Sequence, residues 1–153
     1  MNLGCCHVTL AAVRANCSDS AEMTSQLLFG EFIEVIEVKD NWSFIRCIYD
    51  KYEGWVDTKQ YKIVKKIEDT SFMSFHLSHA CQLKSHSIPL VLGSRLPNFD
   101  GINFKINKDK YLYNGKVIEK DKNPISNLKK VALKYLNAPY LWGGRSPFGI
   151  DCS

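Results

Sequence analysis

The chain has 153 residues, 45% of them hydrophobic and 24% charged, with a net charge of +4, the balance of an ordinary globular protein. Its basic residues are scattered, and pairs such as Lys65-Lys66 and Lys129-Lys130 never grow into a run, which argues against a nucleic-acid or membrane-surface partner. The start, Met-Asn-Leu-Gly-Cys-Cys-His, has no positive segment ahead of an apolar one, and no apolar run is long enough to span a bilayer, so a cytoplasmic location is the expectation.

Residues 1–65 read as short strands separated by polar turns. The run Phe32 to Val38 is rich in β-branched residues, Lys39-Asp40-Asn41 is a turn, and Trp42 to Tyr49 is the returning strand of a hairpin. Tyr52 to Asp57 is a turn feeding another short strand, and the whole fits a small, strongly bent β-barrel. Residues 66–84, Ser-rich and mixed, predict an irregular linker or a short helix. Strand signals resume over 85–122, a second small barrel, with turns at 97–101 and 107–110. In the stretch Tyr111 to Ile118 the Asn114-Gly115 pair predicts a type I′ hairpin. From 123 the period becomes helical: Leu128, Val131, Ala132, Tyr135 and Leu136 share one face of a helix near 127–136, with Ser126 or Asn127 available as N-cap. That stripe has no obvious cover in the residues that follow. The predicted class is therefore mainly β, two small barrels followed by a helix and a loop.

The six cysteines show neither a CxxC pair nor a regular spacing, and five of them read as small buried hydrophobes in a reducing compartment. His76, His79, Cys81 and His86 match no metal-ligand spacing, so no metal and no cofactor are expected. Cys152 differs from the rest. It follows a loop punctuated by Gly143, Gly144 and Gly149, stands between Asp151 and Ser153, and would open a helix whose N-terminal amides favour a thiolate.

The stretch Tyr135 to Ser153, with Ala138-Pro139-Tyr140-Leu141-Trp142-Gly143-Gly144-Arg145 and Gly149-Ile150-Asp151-Cys152-Ser153 at its heart, resembles the nucleophile segment of the NlpC family of papain-like cell-wall cysteine peptidases. Two bacterial SH3-like domains ahead of such a segment are the layout of its γ-D-glutamyl-L-diamino-acid endopeptidase branch, and Ser20 to Glu31 and Tyr52 to Asp57 are similar to that branch. The resemblance implies SH3-like domains at 1–65 and 85–122, the linker at 66–84 between them, and the start of an α+β papain-like peptidase domain at 123–153. It implies that Cys152 attacks the bond between γ-D-Glu and the diamino acid of a peptidoglycan stem peptide, in cell-wall recycling. It also implies that Glu22 and Tyr52 hold the free amine of an N-terminal L-Ala, with Asp151 and Ser153 touching the same ligand. All four histidines precede Cys152, whereas the family takes its base from the sheet after the cysteine. The expectation is a truncated member, inactive alone. A second reading is a non-catalytic binding module for a cell-wall peptide or a protein partner.

Overall fold

β-Branched and aromatic residues at alternate positions generate most of the structure, a computed structural model that describes residues 2–120 and 124–152. The clearest case is the hairpin of β4 (Phe32–Lys39) and β5 (Trp42–Cys47). Its two-residue turn places Asp40 at φ 52°, a left-handed conformation that Asp and Asn tolerate. In β5, Ser43, Ile45 and Cys47 point inward at period two. A register shift between Val35 and Glu37 bulges β4 and turns its far end to solvent, leaving Ile36 and Val38 exposed.

Around this hairpin lie β1 (Asn2–Cys6), β2 (Leu10–Arg14), β3 (Met23–Leu28), β6 (Glu53–Asp57) and β7 (Tyr61–Val64). The seven strands run in the order β3-β2-β6-β5-β4-β1-β7, with every ladder antiparallel. Ala11, Val13, Leu27, Ile33, Ile45 and Val56 fill the interior. Tyr61 closes one side of it and shares a 2.7 Å hydrogen bond with the buried hydroxyl of Ser43, which satisfies both polar groups.

The second unit begins inside the expected linker. Strands β8 (Phe72–Ser74) and β9 (Ser78–Leu83) lie within 66–84, followed by β10 (His86–Val91), β11 (Asn103–Ile106), β12 (Asp109–Leu112) and β13 (Val117–Glu119). Four of these form a sheet in the order β10-β9-β12-β11, and β13 pairs with β8. Strand β9 is internal to its sheet, yet it buries only Cys81 and Leu83 among six residues, so its sequence carried little alternation. The hairpin predicted at Asn114-Gly115 does not form: β12 pairs with β9 and β11, and β13 with β8. Gly115 serves close approach instead, because a Cβ there would come within 2.6 Å of the Tyr113 ring. The tight turn lies at 107–108, with Asn107 at φ 55°.

The two units share a core. Cys5, Phe29 and Phe32 of the first pack with Cys81, Leu90, Leu96, Phe104 and Tyr111 of the second, and the Phe29 ring meets Phe104 and Tyr111 edge-on at 5.8 and 5.3 Å. The Arg95 amide donates to the Phe29 carbonyl at 2.8 Å. Gly30, at φ +79°, follows, and a Cβ there would overlap the Arg95 carbonyl. The chain ends in helix α1 (Pro124–Lys134) and a two-residue pair of strands, β14 (Arg145–Ser146) and β15 (Gly149–Ile150). The helix starts earlier than its period suggested, with proline in the first turn, where its missing N–H costs nothing. After it the chain turns at Asn137, φ 66°. Its apolar stripe is open: Leu128 is 69% and Leu136 67% exposed, and Ala132 is also exposed.

Candidate functional site

The residues that precede Cys152 fold back on the first β-unit. Leu141 and Ile150 hold the ends of the loop together, the Leu141 amide donating to the Ile150 carbonyl at 2.9 Å and the Ile150 amide to the Pro139 carbonyl at 3.0 Å. Gly143, at φ +70°, lies against β3 so closely that a Cβ would come within 2.7 Å of the Met23 carbonyl oxygen. Any side chain there would therefore lift the loop off the strand.

Arg145 is the anchor. Its amide donates to the Gln26 side chain at 2.8 Å and its guanidinium to the Gln26 carbonyl at 2.5 Å. The same guanidinium forms a bidentate pair with Glu31 at 3.1 and 2.8 Å, and Glu31 is 5% exposed. Burial disfavours the charge on Arg145. The charge and hydrogen bonds of Glu31 more than offset this, holding the arginine pKa above its ordinary value. Glu31 also accepts from the Leu28 amide at 2.9 Å, so its oxygens are spent on fixing strand and loop together.

Three of the expected site residues meet around the start of β3. Glu22, exposed, immediately precedes the strand, and Trp142 Nε1 donates to its Oε1 at 2.7 Å. The Tyr52 hydroxyl donates to the Thr24 carbonyl at 3.2 Å. Asp151 accepts from the Gly143 amide at 3.1 Å through Oδ2, tying the residue beside Cys152 to the glycine that touches β3. Cys152 is exposed, and the helix it was expected to open falls outside the described residues. Ser153, also expected at the site, lies outside the described residues.

Of the five other cysteines expected to be buried, Cys5, Cys6, Cys47 and Cys81 are, whereas Cys17 is only half-buried. Burial pushes the thiols of Cys6, Cys47 and Cys81 up to about 12, and the pKa of Cys5 is raised by the same cause. A thiol so shifted stays protonated and inert at neutral pH. The histidines sit on other elements. His7 Nε2 is 3.0 Å from the Lys59 carbonyl, His79 Nε2 is 2.8 Å from Asn114 Oδ1, His76 stacks on His79 with ring centroids 4.8 Å apart, and His86 begins β10. Among the described residues no three His, Cys, Asp or Glu side chains are grouped to hold a metal.

Sequence reasoning did not foresee the roles of Gln26, Glu31 and Arg145. The signal was faint: an acid directly after Gly30, and a glutamine placed among Ser25, Leu27 and Leu28 in a strand that turned out to be buried.

Comparison with known proteins agrees with this architecture. Residues 13–60 match the family described as the bacterial dipeptidyl-peptidase Sh3 domain. The chain is 28% identical over 167 residues to dipeptidyl-peptidase 6 of Lysinibacillus sphaericus, an alignment covering 87% of this chain and 59% of that protein. Its fold superposes on an NlpC/P60 family protein from Bacillus cereus ATCC 10987 with a TM-score of 0.73 at 18% identity, over 98% of this chain and 68% of the other. The chain thus spans 59% of the length of the curated relative it matches. Residues 13–60 are thus similar to a dipeptidyl-peptidase SH3 domain, and the chain is related to a bacterial dipeptidyl-peptidase and shares the mainly β fold of the matched part of an NlpC/P60 family protein.

Proposed function

We propose that the chain is the N-terminal part of a cysteine endopeptidase that cleaves the γ-D-Glu to diamino-acid bond of stem peptides already released from the glycan, in the cytoplasm, with Cys152 as nucleophile. The observation that carries this reading is the docking of the Cys152 loop on β3 beside Glu22 and Tyr52, through Arg145, Gly143 and Trp142. In the reaction the Cys152 thiolate attacks the γ-carbonyl carbon, the amine of the diamino acid leaves with a proton, and water hydrolyses the thioester. By the resemblance to the NlpC family, the imidazole that takes the thiol proton would come from a sheet that follows the cysteine. Glu22 and Tyr52 receive the free ammonium of L-Ala. The Trp142 bond uses one oxygen of Glu22, and a carboxylate has further lone pairs for an ammonium. Asp151 positions the loop through Gly143, and Ser153 adjoins the same ligand.

The test is a chimera in which this chain is continued by the segment of the Lysinibacillus protein beyond the matched region. It should hydrolyse L-Ala-γ-D-Glu-diaminopimelate, lose that activity in Cys152→Ala, and lose about fivefold or more in kcat/KM in Glu22→Gln, the loss of about 1 kcal/mol expected when an ammonium at an exposed carboxylate loses its counter-charge. N-acetylation of the substrate should cost the parent chimera a similar factor. Hydrolysis that survives Cys152→Ala overturns the assignment of the nucleophile. Equal handling of free and acetylated peptides by parent and Glu22→Gln overturns the amine site.

A further inference from the structure

A cavity of about 250 Å³ opens where the two β-units meet, its wall including Gly30, Glu31, Tyr49, Thr70, Arg95 and Lys120. Arg95 is only 8% exposed. Its Nη1 lies 2.9 Å from the sulfur of Met73, and its guanidinium carbon stands 4.7 Å from the centre of the Tyr49 ring. Among the described residues no carboxylate lies within ion-pair distance of it. A guanidinium has five N–H donors in a planar fork, and a thioether and an aromatic face satisfy few of them. None of its nitrogens is both sealed from solvent and without a partner, so its unpaired donors open to the cavity, where an anionic acceptor fits.

The charges of the wall favour an anion. Among the described residues Glu31 is its one acid, and both carboxylate oxygens are already taken, by the Arg145 guanidinium and the Leu28 amide. Lys120 stands exposed at the wall, its backbone fixed by a 2.7 Å bond from its amide to the Ser71 carbonyl. Arg95 is held on the other side, where its amide meets the Phe29 carbonyl at the Gly30 turn. The two cations therefore rest on backbone fixed by both β-units. We propose that this cavity binds a small oxyanion, a carboxylate or a phosphate, with Arg95 as the fork that receives it and Lys120 as the second cation.

Calorimetric titration of the full chain with inorganic phosphate and with acetate, each against sodium chloride at equal ionic strength, tests this. Saturable one-to-one binding is expected for at least one oxyanion, accompanied by a higher Tm, and none for chloride. Tighter binding of acetate marks a carboxylate ligand and tighter binding of phosphate a phosphate. Arg95→Met, which keeps the apolar stem, should abolish binding, and Lys120→Met, at an exposed position, should weaken it at least fivefold with Tm unchanged in chloride. The proposal is overturned if the parent binds neither oxyanion saturably, or if both variants bind as the parent does. Should Arg95→Met fail to fold, Lys120→Met and the amide resonances of Gly30 and Thr70 decide: binding unchanged and resonances unmoved on titration overturn it.

Discussion

Cys152 stands apart from the other cysteines in a way that a single reagent can read. It is exposed and Cys17 half-buried, whereas Cys5, Cys6, Cys47 and Cys81 are sealed in cores. In the native chain iodoacetamide should modify Cys152 first and Cys17 second, the remaining four reacting only after unfolding, with mass spectrometry after proteolysis giving the order. The same burial fixes the alkaline limit of stability. A thiol titrating near 9.0 when unfolded and near 12 when folded keeps its proton in the native state while the unfolded chain has lost it. Its stabilising effect is therefore complete below about pH 9 and disappears as pH rises through about 12. Each such thiol should steepen the loss by about 1.4 kcal/mol per pH unit in that window, visible as a falling urea midpoint between pH 9 and 11. Arg145 and Glu31 define a second sensitive point. Glu31→Gln leaves a guanidinium that is 26% exposed without its counter-charge and should cost about 2 to 4 kcal/mol. Arg145→Lys should recover little of what Arg145→Ala loses, because a point charge cannot make the bidentate pair.

Helix α1 and the loop after it behave as opposites. Ile125 is 83% and Leu128 69% exposed; the ammonium of Lys134 stands over the Phe75 ring of the second unit at 4.6 Å, and Asn127, Leu128 and Val131 face Met73, Leu92 and Ile118 across an open groove. The 139–151 segment is bonded to itself and to β3. Hydrogen exchange should therefore run fast over α1 and slowly at the amides of Leu141, Gly144, Arg145 and Ile150; protection of α1 equal to that of β5 would show that its apolar face is covered in solution. How far the elements were legible follows from where their information lies. The hairpin of β4 and β5 was readable because a two-residue turn and an alternating strand are local. Strand β9 was not, since only Cys81 and Leu83 mark its inner face and its neighbours are supplied from β10 and β12. Asn114-Gly115 misled because the glycine answers to a ring packed against it, which local sequence does not display. At the site, resemblance pointed to Cys152, Glu22 and Tyr52, but the clamp of Arg145 joins residues 114 and 119 positions apart and no local pattern encodes it.

At the scale of the molecule, the two β-units are joined by a common core, beside which the first keeps an interior of its own. Phe29 leaves the first sheet and ends among Phe104, Tyr111 and Leu96 of the second. Phe29→Ala should cost about 3 to 5 kcal/mol, and the wild-type chain should unfold in one transition whether followed by tryptophan fluorescence, whose reporters are Trp42 and Trp55 of the first unit and Trp142 of the loop docked on it, or by far-ultraviolet dichroism. Two separated transitions would show that the shared core does not couple the units. The clamp between Arg145 and the first unit has a consequence for how such a protein can change over evolutionary time. An SH3-like unit joined only by a linker could be exchanged as a cassette, but here the loop that leads to Cys152 takes its acceptors from Gln26 and Glu31. Recombination that imports a foreign β-unit without that amide and that carboxylate would deliver an intact cysteine to the wrong place, so the two parts are constrained to be inherited together.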